Sequence, residues 1–319
     1  MPLGEFDLIA KYFTREVSRA ALGVGDDCAL FATSPGMQLA VSSDMLVEGR
    51  HFLPTVAPDR LGHKALAVNL SDLAACGARP LAFTLALAMP RVDERFLAGF
   101  AQGLLALADA HACELIGGDT TQGPLNLCLT VFGEVPRGAA LLRSGARAGD
   151  DLYVSGQLGD ARLALEVVRG TVALEGQAFE QVRVAMERPQ PRVALGLALR
   201  GIATSAIDVS DGLLGDLRHV LRRSAVGAEV LVDALPRSAV LGALPEPLQR
   251  TCTLAGGDDY ELVFTAPADR ASAVAAAAQT AQLGVTRIGR IFAEPGLRLV
   301  DRTGADVADS FGAFDHFRA

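Results

Sequence analysis

Between Arg60 and Cys76 the apolar positions recur at helical spacing, and the pattern stops at Gly77 with Pro80 shortly beyond. This predicts a helix that carries Asn69, Asp72 and Cys76 on one face. Ahead of it, Leu39-Ala-Val-Ser-Ser43 reads as a strand ending in polar residues. Behind it, Ala82–Ala88 reads as a strand, the Leu/Ala-rich stretch Val92–His111 as a helix and Leu127–Gly133 as another strand. The order is mixed and does not repeat as a parallel-sheet unit would.

Residues 136–150 break the pattern with Pro, Gly and three arginines, which fits a crossing between domains. A boundary near residue 140 gives domains of residues 1–140 and 141–319. The second half reopens with a strand at Leu152–Ser155 and a helix over Ala161–Arg169. Residues 171–200 read as helical, and the apolar run Ile202–Ile207 leads into an Asp motif. A helix from near Leu213, a strand at Glu261–Thr265, an Ala-rich helix over Ala271–Gln282 and short C-terminal strands complete the reading. Each half has an apolar strand followed by a Ser/Asp cluster, at Val41–Asp44 and Ile207–Asp211. That parallel suits two related α+β (mixed α/β) domains facing one cleft.

Composition narrows the class. The 319 residues are 50% hydrophobic, enough for a sizeable core, and 33 glycines beside no tryptophan favour close packing and tight turns. A net charge of −8 without a basic tract argues against a nucleic-acid partner. The start lacks a leader-like pattern and the longest greasy stretch, Leu81–Met89, is far too short to span a bilayer, so a soluble cytoplasmic protein is expected. The five cysteines form no Cys-x-x-Cys pair, which leaves buried thiols as the expectation rather than disulfides or a thiolate metal site.

Six Asp-bearing stretches carry the candidate chemistry: Gly23-Val-Gly-Asp-Asp27, Ser42-Ser43-Asp44, Asn69-Leu-Ser-Asp72, Gly117-Gly118-Asp119-Thr120, Asp208-Val-Ser210-Asp211-Gly212 and Gly256-Gly-Asp258-Asp259. Carboxylates that converge repel one another, and hard cations with oxygen ligands such as Mg²⁺ offset that repulsion. Singly, each has an ordinary reading. Asp27 suits an Asx turn, Ser42-Ser43-Asp44 an exposed turn, Asp72 a solvent-facing helical stripe and Asp119 a Gly-rich loop, while Asp211 suits a plain helix N-cap. Ion binding explains them jointly, and it points to phosphate chemistry. Arg143, ahead of Ser144-Gly145, offers forked donors for phosphate, with Arg50 an additional candidate and a solvated linker arginine the ordinary alternative. His51 suits substrate binding better than general-base work, Asp258 suits recognition of a cationic or hydrogen-bonding group, and Phe314 suits ring stacking or core closure. Neither a phosphate loop of the Gly-x-x-x-x-Gly-Lys-Ser/Thr type nor a protein-kinase signature is present.

Taken in order, Gly25-Asp-Asp-Cys-Ala29, His51-Phe-Leu-Pro54, Lys64–Ala75, Ile116-Gly-Gly-Asp-Thr-Thr121, Arg143-Ser-Gly-Ala146 and Ala206-Ile-Asp-Val-Ser-Asp-Gly212 resemble the thiamine-monophosphate kinase family. That family belongs to the superfamily of aminoimidazole ribonucleotide synthetase and selenophosphate synthetase. The resemblance implies a two-domain aminoimidazole ribonucleotide synthetase-like fold, a homodimer formed through the first domain, and direct transfer of the terminal phosphoryl group of ATP to thiamine monophosphate without a dedicated general base. It places Asp27, Ser42, Ser43, Asp44, Asp72, Asp119, Asp208 and Asp211 around Mg²⁺. Gly118, Asp119, Arg143 and Ser210 fall near ATP, and His51, Asp258 and Phe314 near thiamine monophosphate. Asp258 stands where the family often has Glu, so its carboxylate has a shorter reach. A related ATP-dependent synthetase or ligase, or a nucleotide or cation sensor, are the alternative readings.

Overall fold

The computed structural model describes residues 4–309 and Phe311. The chain divides into two compact units, residues 1–73 with 78–138, and residues 74–77 with 139–319.

The first unit contains α1 (Glu5–Tyr12), β1 (Met37–Val47), α2 (Pro58–Ala75), β2 (Arg79–Met89), α3 (Glu94–Ala110), β3 (Glu114–Gln122) and β4 (Asn126–Pro136). Its sheet has the order β1-β4-β2-β3, antiparallel except for the β2–β3 pair. Alternation along β4 buries Leu127, Leu129 and Val131 on one face, and Phe83, Leu66, Leu70, Phe100 and Leu104 are buried with them. The opposite face is thinly covered toward its β1 edge, where Leu39, Val41 and Met45 stay about half exposed. α2 ends as its sequence dictates: Gly77 takes φ +62° and Ala78 N–H returns to the Leu73 carbonyl at 2.8 Å.

Two expectations change here. β1 does not end at Ser43 but runs on to Val47, because β4 pairs with it throughout, Asp44 opposite Leu129 and Leu46 opposite Leu127. Gly117-Gly118-Asp119 is not a loop but the middle of β3, paired with Thr84, Leu85 and Ala86. A Cβ on Gly118 would lie 1.9 Å from the Leu85 carbonyl oxygen, so the glycine serves close strand approach.

The second unit opens with β5 (Asp150–Ser155), α4 (Asp160–Val168), α5 (Gly176–Glu187), α6 (Val193–Ala198), β6 (Ser205–Asp208) and α7 (Leu213–Ser224). It continues through β7 (Gly227–Leu231), α8 (Ala239–Gly242), α9 (Glu246–Ala255), β8 (Leu262–Pro267), α10 (Ala271–Thr280), β9 (Val285–Phe292) and β10 (Gly296–Val300). The mixed sheet has the order β10-β7-β9-β5-β8-β6. Leu152, Val154, Ile207, Leu217, Val230, Val263 and Ile288 form its core. None of the cysteines is in a disulfide, and the buried-thiol expectation holds for Cys113 and Cys252, whose thiols burial pushes up to about 12. Cys28 and Cys76 are instead exposed, Cys28 in the connection between α1 and β1 and Cys76 just past the end of α2.

Candidate active site

In the first unit the edge strand β1 and helix α2 hold the central group. Ser42 and Asp44 alternate with Val41, Ser43 and Met45, so the first pair faces α2. Ser42 Oγ donates to Asp72 Oδ2 at 2.5 Å, and Asp44 N–H donates to Asn69 Oδ1 at 3.0 Å. Asn69 is fully buried and is fixed in turn by its Nδ2–H bond to the Ala65 carbonyl. Ser43 points to the other face, where its hydroxyl bonds to the Leu129 carbonyl and to Thr130. The strand therefore turns the Ser43 side chain away from Ser42 and Asp44.

Asp119 is set apart from this group. Met45, Cys128, Ala86 and Asp119 are register partners across the four strands, so they share the thinly covered face, opposite to that of Asp44. β1 and β3 are opposite edges, three strand spacings or roughly 14 Å apart along the sheet. Asp27 sits exposed in the turn after Gly25, with its N–H on Asp26 Oδ1 at 2.9 Å. His51 accepts from Val47 N–H at Nδ1, 3.0 Å, which leaves its ring proton on Nε2.

The second unit gathers its groups where β6 gives way to α7. Asp208 is the last residue of β6 and is buried, whereas Ser210 and Asp211 are partly open. Gly212, not Asp211, is the N-cap, so the capping explanation of Asp211 does not apply. The buried Asp216, one turn into α7, accepts from Ser210 N–H at 3.1 Å and from Asp211 N–H at 3.0 Å. Burial first and the charge of Asp208 second push its carboxyl up to about 8. Sequence reading did not single out Asp216, although an Asp in the otherwise apolar Leu213-Leu-Gly-Asp-Leu217 was its signal.

The loop of Asp258 lies against the same turn. Asp258 N–H donates to the Ser210 carbonyl at 2.9 Å and Tyr260 N–H to the Val209 carbonyl at 2.8 Å. Gly257 permits that approach, since a Cβ there would meet the Ser210 oxygen at 2.5 Å. Asp258 and Tyr260 adopt φ of +66° and +51°, and Tyr260 OH bonds to Asp258 Oδ1 at 3.1 Å. Behind them, buried Glu261 is clasped by Arg192 and by Ser155 Oγ. Asp259 Oδ1 accepts from Gly159 N–H at 2.9 Å, and burial holds its carboxyl well above the usual carboxylate range. Arg143 is exposed, with its main chain pinned by Ser224 Oγ and its neighbour Leu142 bonded to Ala206 N–H. Ser224 ends α7, which puts the Arg143 main chain beside that helix, and burial first, then the Arg143 guanidinium, lower the imidazole of His219 from its ordinary value. Phe314 lies outside the described residues.

The donor set fits a hard divalent cation in kind. It consists of carboxylates and hydroxyls only, and at Asp216 the charges of Asp208 and Asp211 add to burial in opposing its ionisation. No three His, Cys, Asp or Glu side chains among the described residues meet in a group that holds a metal by itself. An ion held here would have to draw its remaining ligands from elsewhere, as Mg²⁺ can when it keeps waters and shares phosphate oxygens.

Comparison with known proteins gives the family of the chain. Residues 25–135 match the N-terminal domain, and residues 147–302 the C-terminal domain, of the AIR synthase related proteins. Thiamine-monophosphate kinase of Salmonella typhimurium is 46% identical over 325 residues, covering 99% of both chains. The crystal structure of thiamine-monophosphate kinase from Stenotrophomonas maltophilia K279a is 47% identical, with a TM-score of 0.87 over 94% of this chain and 97% of that one. AaThiL complexed with AMPPCP and TMP is 29% identical, with a TM-score of 0.78 over 90% of this chain and 89% of that one. Matched along its length in sequence and in both domains, the chain belongs to the thiamine-monophosphate kinase family of the AIR synthase related proteins.

Proposed function

We propose that this chain phosphorylates thiamine monophosphate with ATP, giving thiamine diphosphate and ADP by direct attack of the acceptor phosphate on the terminal phosphorus. The observation that carries the reading is full-length similarity to thiamine-monophosphate kinases, joined to an oxygen-only donor set in which Asp208 is buried, Asp44, Asp72 and Asp211 are half-buried, and Asp27 and Asp119 are exposed. The likeness to AaThiL complexed with AMPPCP and TMP supports the pair of substrates.

Asp27, Ser42, Ser43, Asp44, Asp72 and Asp119 of the first unit, with Asp208 and Asp211 of the second, are the proposed Mg²⁺ ligands. Ser43 joins them with its side chain turned to the opposite face from Ser42. Mg²⁺, when bound, neutralises phosphate charge and favours in-line transfer. Gly118, Asp119, Arg143 and Ser210 bind ATP, and the exposed Arg143 guanidinium meets its phosphate oxygens. His51 donates from Nε2 to the acceptor, while Asp258 recognises it, with Phe314 the proposed ring contact. The acceptor phosphate is already largely ionised near neutral pH, so no residue is needed as a general base.

Residues 1–140 are the proposed ATP- and metal-binding and dimerising domain, and residues 141–319 the second domain. The half-exposed Leu39, Val41 and Met45 on one face of β1 support a homodimer through that sheet. No described helix is long and apolar enough to cross a membrane, and we assign the enzyme to the cytoplasm, where ATP is supplied. Purified protein given Mg²⁺, ATP and thiamine monophosphate should form ADP and thiamine diphosphate together. Nucleotide hydrolysis without thiamine diphosphate would favour a synthetase acting on another acceptor, and neither product from folded, Mg²⁺-loaded protein would sink the kinase reading.

A further inference from the structure

The turn between β6 and α7 is held from two sides through the same two peptide units. In the peptide joining Ser210 to Asp211, the carbonyl accepts from Asp258 N–H at 2.9 Å while the N–H donates to Asp216 Oδ2 at 3.0 Å. In the preceding peptide, the Val209 carbonyl accepts from Tyr260 N–H at 2.8 Å while Ser210 N–H donates to the same Asp216 oxygen at 3.1 Å. Two parallel chains of hydrogen bonds thus run from the 258–260 loop, through residues 209–211, to one carboxyl oxygen. Each bond in such a chain polarises the next.

This geometry fixes more than a helix start. Two peptide planes with both ends bonded cannot rotate without breaking two bonds each, so Asp216 helps to fix the backbone that carries the Ser210 and Asp211 side chains. The same chains register Asp258 against Ser210. Asp216 is 4% exposed and lies one turn inside α7 (Leu213–Ser224), which anchors it on a rigid element with Leu213, Leu214 and Leu217 buried around it. N-capping alone does not account for it, because the amides it takes belong to residues that precede the N-cap, Gly212.

We propose that Asp216 is a positioning residue for phosphoryl transfer, which through two consecutive peptide units holds the ATP- and metal-side turn in register with the acceptor-side loop. The inference rests on the kinase reading for its kinetic part only. A positioning defect of about 1 Å costs on the order of 100-fold in turnover, which sets the expected scale.

The test compares Asp216→Ala with Asp216→Asn, whose side-chain carbonyl still accepts both N–H groups. Hydrogen exchange followed by mass spectrometry should show faster exchange in peptides covering residues 209–211 and 258–260 in Asp216→Ala, and near wild-type protection in Asp216→Asn. In steady-state kinetics, corrected for the folded fraction, Asp216→Ala should lose about 100-fold in kcat and raise KM for thiamine monophosphate, with Asp216→Asn within about threefold of wild type. Unchanged exchange at residues 258–260 in Asp216→Ala would overturn the proposal. So would an Asp216→Asn variant as impaired as Asp216→Ala, or an activity loss wholly accounted for by unfolding. If the wild-type protein forms no thiamine diphosphate, the kinase reading fails, while the exchange comparison still decides whether Asp216 couples the two loops.

Discussion

Ser42 Oγ and Asp72 Oδ2 lie 2.5 Å apart, a hydrogen bond that ties the edge strand β1 to helix α2 at the centre of the first unit's carboxylate group. Ser42→Ala removes the donor without altering the strand's ladder. The expected cost is about 1 kcal/mol of stability, read from urea midpoints. Turnover should fall most steeply at limiting Mg²⁺, and a rate that is equally reduced at all Mg²⁺ concentrations would contradict a metal-side role for the pair.

Asp119 is exposed on β3, so Asp119→Asn should leave stability within about 0.5 kcal/mol of wild type. Its effect should appear in Mg²⁺-ATP turnover alone. Initial rates across a Mg²⁺ titration check this, and an unchanged rate at limiting Mg²⁺ would reject Asp119 as a ligand.

Glu134 is buried. Burial by itself would raise its carboxyl, but bonds from Arg79 and from the Ser34 amide and hydroxyl outweigh burial and hold it below the usual range. A depressed carboxyl stabilises the fold above the unfolded-state value, near 4.5, and that contribution is lost as pH falls through the lower folded-state value. The stability advantage of wild type over Glu134→Gln should therefore shrink on acidification below about pH 4.5. Denaturant midpoints measured in parallel give the answer.

Asp259 predicts the opposite slope. Its carboxyl is raised by burial, opposed by the Gly159 N–H bond, so the folded protein keeps a proton that the unfolded chain releases above its ordinary value of 3.8. Stability should fall as pH rises through the window between that value and the raised one, by at most about 1.4 kcal/mol per pH unit. Asp259→Asn retains the oxygen for Gly159 N–H and should flatten the dependence. Identical pH profiles for the two proteins would refute the assignment.

The Val41→Lys, Met45→Lys double variant places two charges on the open face of β1. If that face makes the homodimer, light scattering should register a mass near the 33.2 kDa of one chain rather than twice that. A mass that does not depend on the substitutions would rule the face out.

Much of the fold was legible because local and tertiary preferences agree. The helix stop at Gly77 needs only a left-handed residue, and the Leu/Ala stretch of α3 buries Leu97, Phe100 and Leu104 on one side, as its spacing requires. What misled was polarity. Ser42-Ser43-Asp44 and Gly117-Gly118-Asp119 look like loop residues, yet both are interior to strands because pairing with β4 and β2 satisfies their backbones. The period of two then separates Ser43 from Ser42, a distinction that motif matching does not make. Asp216 carries the signal of a carboxylate in an apolar turn, but its partners are backbone amides, so sequence does not say what it holds.

The left-handed conformations of Asp258 and Tyr260 have a further consequence. Asp tolerates this region but a bulky Tyr seldom enters it, and the neighbouring bonds to Val209, Ser210 and Glu261 hold the loop there. The loop's conformational entropy is thus surrendered when the chain folds, not when a ligand arrives. In the proposed kinase, a loop held in this way would spend little further entropy on binding the acceptor and would disfavour acceptors of a different shape.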